Sequence, residues 1–117
     1  CWMLPVNDDP GTKLRAWSER PKIDDARWNG PLGVPVEVMV ELSNRMGADP
    51  WFTISHLADD DYVRHFAEVV RDKLDPNRRA WKRKAYIEHS NEVWNDIFSQ
   101  CKYAREKRVA RREDEHR

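Results

Sequence analysis

The sequence has few cysteines, few glycines and no long apolar run, and each shortage excludes a class of protein. Its 117 residues include 2 Cys and 4 Gly. Cys1 and Cys101 cannot form a disulfide framework, and no Cys and His spacing matches a zinc site. No segment reaches the roughly 18 apolar residues that a membrane-spanning helix needs. We therefore expect no disulfide-stabilised miniprotein, no metal site and no membrane protein.

Recognisable signals for nucleotide binding and for export are also missing. Neither GxGxxG nor GxxxxGK[ST] occurs, which lowers the expectation of a nucleotide ligand, and we predict no cofactor. The sequence starts at Cys1 inside an apolar run and has no charged-then-apolar signal segment. The compartment is therefore left open by the sequence.

The chain has no excess of either charge, but its charges are unevenly placed. Lys and Arg total 21, as do Asp and Glu, and mean hydropathy is −0.94. Residues 1–77 have an acidic excess, whereas residues 78–117 have a basic one, concentrated in Arg78–Lys84 and in the tail after Lys102. Basic segments can bind phosphates. The tail interleaves acids with its arginines, which favours a solvated helix end, so we do not expect nucleic acid as the partner.

What is present is an alternation of strand and helix signals. A short apolar strand before Asn7 leads into an irregular stretch, in which Lys13–Arg20 could form a short helix. Helices are predicted at Pro35–Met46, from Asp59 or Asp60 to about Leu74, and along the face Val93, Ile97, Cys101 and Ala104. The strands between them are Trp51–Ile54 and Ala85–Ile87. This order predicts an α/β fold with three parallel strands, from either a doubly wound sheet or a (β/α)₈ barrel.

Polar residues follow the predicted strands, where chemistry gathers in both α/β architectures. The segment after Ala85–Ile87 contains His89, Asn91, Glu92 and Trp94. A carboxyl group flanked by apolar rings can stay protonated and act as a general acid, as glycoside cleavage requires. An adjacent Asn could hydrogen-bond a sugar hydroxyl, and Trp rings could cover sugar faces. Glu92 as an ordinary acid in the first turn of a helix is an equal reading on spacing alone.

Three blocks of the sequence carry a family resemblance. They are Gly-Val-Pro-Val-Glu (33–37), Gly-Ala-Asp-Pro-Trp-Phe (47–52) and Ser-Asn-Glu-Val-Trp-Asn (90–95). The last resembles the strand-four Asn-Glu of the large barrel-fold glycoside hydrolase clan, clan A. Together the blocks resemble the TIM-barrel module of bacterial proteins described as cellulose-binding domain proteins, over roughly Trp2 to Tyr103.

The resemblance implies a role for each candidate site residue. Glu92 would be the acid/base of a retaining hydrolase and Asn91 its sugar-contacting neighbour. By position only, the remaining substrate contacts would be His56, Trp51, Trp94 and His89. The partner would be an oligosaccharide or polysaccharide such as cellulose, with an extracellular location by analogy.

The resemblance also predicts a partial barrel. A closed barrel takes about 250 residues, and the strands here would be two, three and four of eight. Residues 1–104 would form the partial barrel and 105–117 a charged helix end or tail. The clan's nucleophile, on strand seven, would be absent. We therefore expect a fragment of a longer enzyme that shows little or no hydrolysis alone.

Three alternatives to a glycosidase fragment are open at this point. One is a carbohydrate-binding protein without catalysis. Another is nucleic-acid binding by Arg78–Lys84, with Trp81 and the tail. The last is a structural protein without a ligand.

Overall fold

The computed structural model describes residues 14–75 and 83–115, with side chains as far as residue 112. Its fold is α/β. A 3₁₀ turn covers Trp17–Glu19, within the predicted short helix. The regular elements are, in chain order, α1 (Val36–Met46), β1 (Trp51–Ile54), α2 (Asp60–Lys73), β2 (Tyr86–His89) and α3 (Ser99–Glu115).

The described sheet has two parallel strands, β1 and β2, joined through α2. Trp51 pairs with Tyr86 and Ile54 with His89. At the amino edge, the backbone N–H of Lys84 donates to Asp49 Oδ1 at 3.0 Å. Parallel pairing between these two segments was predicted, but three strands of a barrel are not seen. The third predicted strand, before Asn7, and most of the basic segment Arg78–Lys84 lie outside the described residues.

Local sequence sets the bounds of α1 and α2 as predicted. Pro35 is the N-cap of α1, and Gly47 ends the helix with a left-handed φ of 70°. Asp59 caps α2 because its Oδ1 accepts the backbone N–H of Tyr62 at 2.7 Å. Both helices lie where apolar spacing and terminal signals coincide.

The core lies between the two helices and one face of the sheet. Phe52 and Ile54 of β1 are buried against Val40 of α1 and Phe66 of α2, within one cluster. The rings of Phe52 and Phe66 meet edge to face with centroids 5.4 Å apart. Each such side chain contributes about 1.5–3 kcal/mol on burial. This packing fixes β1, and hence the residues that follow it.

The last two elements differ from the sequence prediction. β2 extends to His89, so His89 belongs to the strand rather than to the loop after it. α3 begins at Ser99, not near Val93, and it continues to Glu115 through the residues predicted as a charged helix end or tail. Glu92 has a left-handed φ of 44°, and turns follow in which Asn95 N–H donates to Glu92 O and Phe98 N–H donates to Asn95 O. These turns occupy the residues predicted as the first turns of the helix, so α3 begins only after them.

Candidate functional site

The carboxyl ends of β1 and β2 bring polar residues together at one edge of the sheet. Ser55 and His56 follow β1, and Ser90, Asn91 and Glu92 follow β2. The backbone N–H of Ser90 donates to the carbonyl oxygen of Ile54 at 2.6 Å, which extends the strand pairing past His89. His56 Nδ1 lies 3.1 Å from Ser90 Oγ. The two strand ends are thus linked by both backbone and side chains, and we call these five residues the carboxyl edge.

The backbone of the β2 end is strained. Ser90 and Glu92 have φ values of 61° and 44°, in the left-handed region that non-glycine residues rarely occupy. Each such residue costs on the order of 1–3 kcal/mol, and strain of this kind clusters at functional sites. The turn buries Ser90 completely and Asn91 almost completely, and it leaves Glu92 half-buried.

The first turn of α3 supports this edge. Gln100, which is fully buried, donates from Nε2 to the carbonyl oxygen of Asn91 at 2.7 Å. The ring of Tyr103 lies 4.9 Å, centroid to centroid, from that of His56. A buried amide hydrogen bond and a ring contact therefore hold Asn91 and His56 from the same helix.

Glu92 is held by a neighbouring amide. Its Oε2 accepts a hydrogen bond from Asn95 Nδ2 at 2.9 Å. The bond fixes the orientation of the carboxyl group at the surface of the edge. Trp94, which was predicted to lie near it, is 74% exposed.

Trp51 lies away from the carboxyl edge. It is the first residue of β1, at the amino end, where its Nε1 donates to Glu88 Oε2 at 2.9 Å and its ring stacks on Tyr86 at 5.8 Å. The sequence analysis placed Trp51 near the cleft, but Trp51 begins β1 whereas His56 follows its carboxyl end. His89 closes β2 as an exposed residue. Of the six predicted residues, the structure therefore assembles Glu92, Asn91 and His56.

Three contributors to the edge were not predicted: Ser90, Gln100 and Tyr103. Ser90 stands inside the quoted motif, but its hydrogen bond to His56 depends on the strand register. Gln100 and Tyr103 belong to a helix whose start was misplaced by six residues, from Val93 to Ser99. The sequence shows Gln100 and Tyr103 only as helix residues, and their contacts with the edge depend on where α3 packs.

The contact between Ser90 and His56 has the distance of a nucleophile and base pair. Ser90 also follows a strand on a strained turn, as nucleophilic serines of hydrolases do. However, its exposed fraction is 0%, and no substrate carbonyl can reach a fully buried hydroxyl. We interpret Ser90 as the group that orients His56.

Comparison with protein-family models, with curated proteins and with solved structures finds no match to this chain. Among residues 14–75 and 83–115, no cluster of three or more His, Cys, Asp or Glu side chains could bind a metal ion. Within the same ranges, every helix is too short or too polar to cross a bilayer.

Proposed function

We propose that this chain is a carbohydrate-active module, part of a retaining glycoside hydrolase of barrel type, in which Glu92 is the acid/base. The observation that carries the proposal is the meeting of Glu92, Asn91 and His56 at the carboxyl edge of two parallel strands. In α/β folds this edge is where ligands bind and where catalytic side chains lie.

The chemistry assigned to Glu92 is proton transfer. A carboxylic acid of this kind protonates the oxygen that leaves when a glycosidic bond breaks, and its carboxylate later activates water. The Asn95 amide orients Glu92 through the 2.9 Å hydrogen bond to Oε2. Asn91, at the floor of the edge, would bind a sugar hydroxyl, and His56 would contact the sugar from the neighbouring strand.

A partial barrel is supported by the open surfaces of the sheet. In a barrel, the sheet face opposite the helices is covered by the other strands. Here that face carries Trp51 and Tyr86, which are 60% and 47% exposed. The nucleophile expected on strand seven has no counterpart among the two described strands. The proposal therefore predicts little or no hydrolysis by this chain alone, but measurable glycan binding.

A second candidate, glycan binding without catalysis, is favoured by a separate observation. The exposed rings of Trp51 and Tyr86 are nearly parallel, with an interplanar angle of 17°. The outer face of either ring can cover the apolar face of a sugar. This surface lies at the amino end of the sheet, so the two candidates predict binding at different places.

Calorimetric titration with cello-oligosaccharides, mixed-linkage glucans, xylo-oligosaccharides and oligogalacturonates tests both candidates. We expect binding of at least one glycan, and a loss of about tenfold, or about 1.4 kcal/mol, in the Asn91→Ala variant. Asn29→Ala is the matched control, because Asn29 is exposed and outside the site. Loss of binding in Trp51→Ala, with Asn91→Ala unaffected, would favour the aromatic surface. Absence of binding to every glycan would contradict both candidates.

A further inference from the structure

Within residues 104–112, α3 places its basic residues and its one acid, Glu106, on different faces. Ala104, Lys107, Arg108, Arg111 and Arg112 line one concave surface, spaced as residues on one helix face. We call Lys107, Arg108, Arg111 and Arg112 the basic row. Glu106 lies about 200° around the helix from Arg108 and pairs with Lys102 at 4.0 Å. Over residues 104–112 this face is therefore cationic, whereas the other acids of the tail follow it at residues 113–115.

The basic row is continuous with the carboxyl edge. Lys107 Nζ lies 5.6 Å from the centroid of the Tyr103 ring, and that ring contacts His56. Gln100, which holds Asn91, precedes Lys107 by seven residues and so lies on the same side of α3. From Tyr103 to Arg111 the helix rises about 12 Å. The row thus begins one helical turn beyond the ring that contacts His56.

The composition of the row indicates the kind of ligand. Residues 105–112 are all exposed, and the row has three arginines, whose guanidinium groups bind carboxylates and sulfates through paired hydrogen bonds. The only apolar residue lining the same surface is Ala104. A helix that lies in a membrane interface needs a broad apolar face, so a lipid surface is disfavoured.

We propose that the glycan bound by this module is an anionic polysaccharide, of uronate or sulfated type, whose acidic groups contact the basic row while a sugar unit occupies the carboxyl edge. This inference rests on the proposed function, since it specifies the substrate class of the same site. The continuity of the row with the edge is the reason for choosing an acidic glycan rather than a nucleic acid.

The experiment is a binding titration of the whole chain with oligogalacturonate, with a cello-oligosaccharide of equal length and with a 20-base-pair DNA duplex. We expect oligogalacturonate to bind at least about tenfold more tightly than the neutral glycan at low salt, and its advantage to shrink with added salt. The variant Lys107→Gln/Arg111→Gln should lose about tenfold in affinity for oligogalacturonate. The control Lys84→Gln/Lys102→Gln removes the same charge elsewhere and should lose less than about twofold.

Each other outcome overturns the inference in a distinguishable way. Equal binding of neutral and acidic glycans, unaffected by the row variant, would overturn the inference and leave the proposed function standing. Equal losses in both double variants would show an effect of net charge alone. Tighter, row-dependent binding of the duplex would assign the row to nucleic acid. No binding of either glycan would overturn the proposed function together with the inference.

Discussion

At the residue scale, the site depends on polar side chains buried beside each other. Ser90 and Gln100 have an exposed fraction of 0%, and each hydrogen-bonds a residue of the carboxyl edge. Buried polar groups of this kind are costly unless satisfied, so they fix the geometry around them. Glu92 lies nearer the surface than Ser90 and Asn91, which are buried.

Away from the site, Tyr62 gives a pH prediction. It is buried against Trp17 and Phe66, and this burial raises the pKa of its hydroxyl from 10 to about 12. Because the pKa is higher in the folded than in the unfolded chain, the contribution to stability is complete below pH 10. It is lost as the pH rises through about 12, by an amount on the order of 1–3 kcal/mol.

Denaturant unfolding of the wild type and of Tyr62→Phe between pH 9 and 12 measures this contribution. We expect the free energy of unfolding of the wild type to fall more steeply above pH 10 than that of the variant, which has no hydroxyl to ionise. Parallel curves for the two proteins would show that Tyr62 ionises equally easily in both states.

At the element scale, the end of β2 is defined by backbone conformation rather than by a glycine. Glu92 has a φ of 44°, which is unstrained for glycine and strained for alanine. We expect Glu92→Gly to be more stable than Glu92→Ala by about 1 kcal/mol, since both lack the carboxylate. Thermal or urea unfolding of the two variants gives the difference directly.

Glu41 supplies the matched comparison. It lies within α1, where glycine is less favourable than alanine by about 0.5–1 kcal/mol. The order of the two variants should therefore reverse between positions 41 and 92. Alanine more stable than glycine at both positions would mean that Glu92 does not adopt a left-handed conformation in solution.

Signals in the local sequence explain which elements could be predicted and which could not. The bounds of α1, β1 and α2 follow from Gly47, Asp59 and apolar spacing, which are local signals. The start of α3 does not follow from such signals, because the residue types at 92–98 do not predict the turns that the chain forms there. The apolar spacing from Val93 to Ala104 predicted a helix through residues that form turns instead.

At the scale of the whole molecule, the pairing of β1 with β2 decides which site residues meet. His56, Asn91 and Glu92 were predicted to share an edge because each follows a strand, and parallel pairing confirms that they do. Trp51 was predicted to lie near these residues only because of its position in the sequence. Its position at the amino end already follows from the predicted strand Trp51–Ile54, whereas its contacts with Tyr86 and Glu88 depend on register, which sequence distance does not reveal.

The described fold also leaves apolar surface open. A groove of about 290 Å³ between α2 and β2 is lined by Val63 and Ile87, among others, and these are 45% and 57% exposed. The sheet face on the opposite side exposes Trp51 and Tyr86 as well. Surface of this kind suits an α/β unit covered by further elements, as the proposed barrel would supply.

The central claim is that a glycan binds at the carboxyl edge of the two strands. Mapping of backbone amide chemical shifts during titration with the tightest-binding glycan from the calorimetric series tests it most directly. The account predicts shifts concentrated at residues 55–57 and 89–92, with smaller ones near Tyr103. Shifts confined to residues 51 and 86 at the opposite end of the strands, or scattered over the surface, would contradict it.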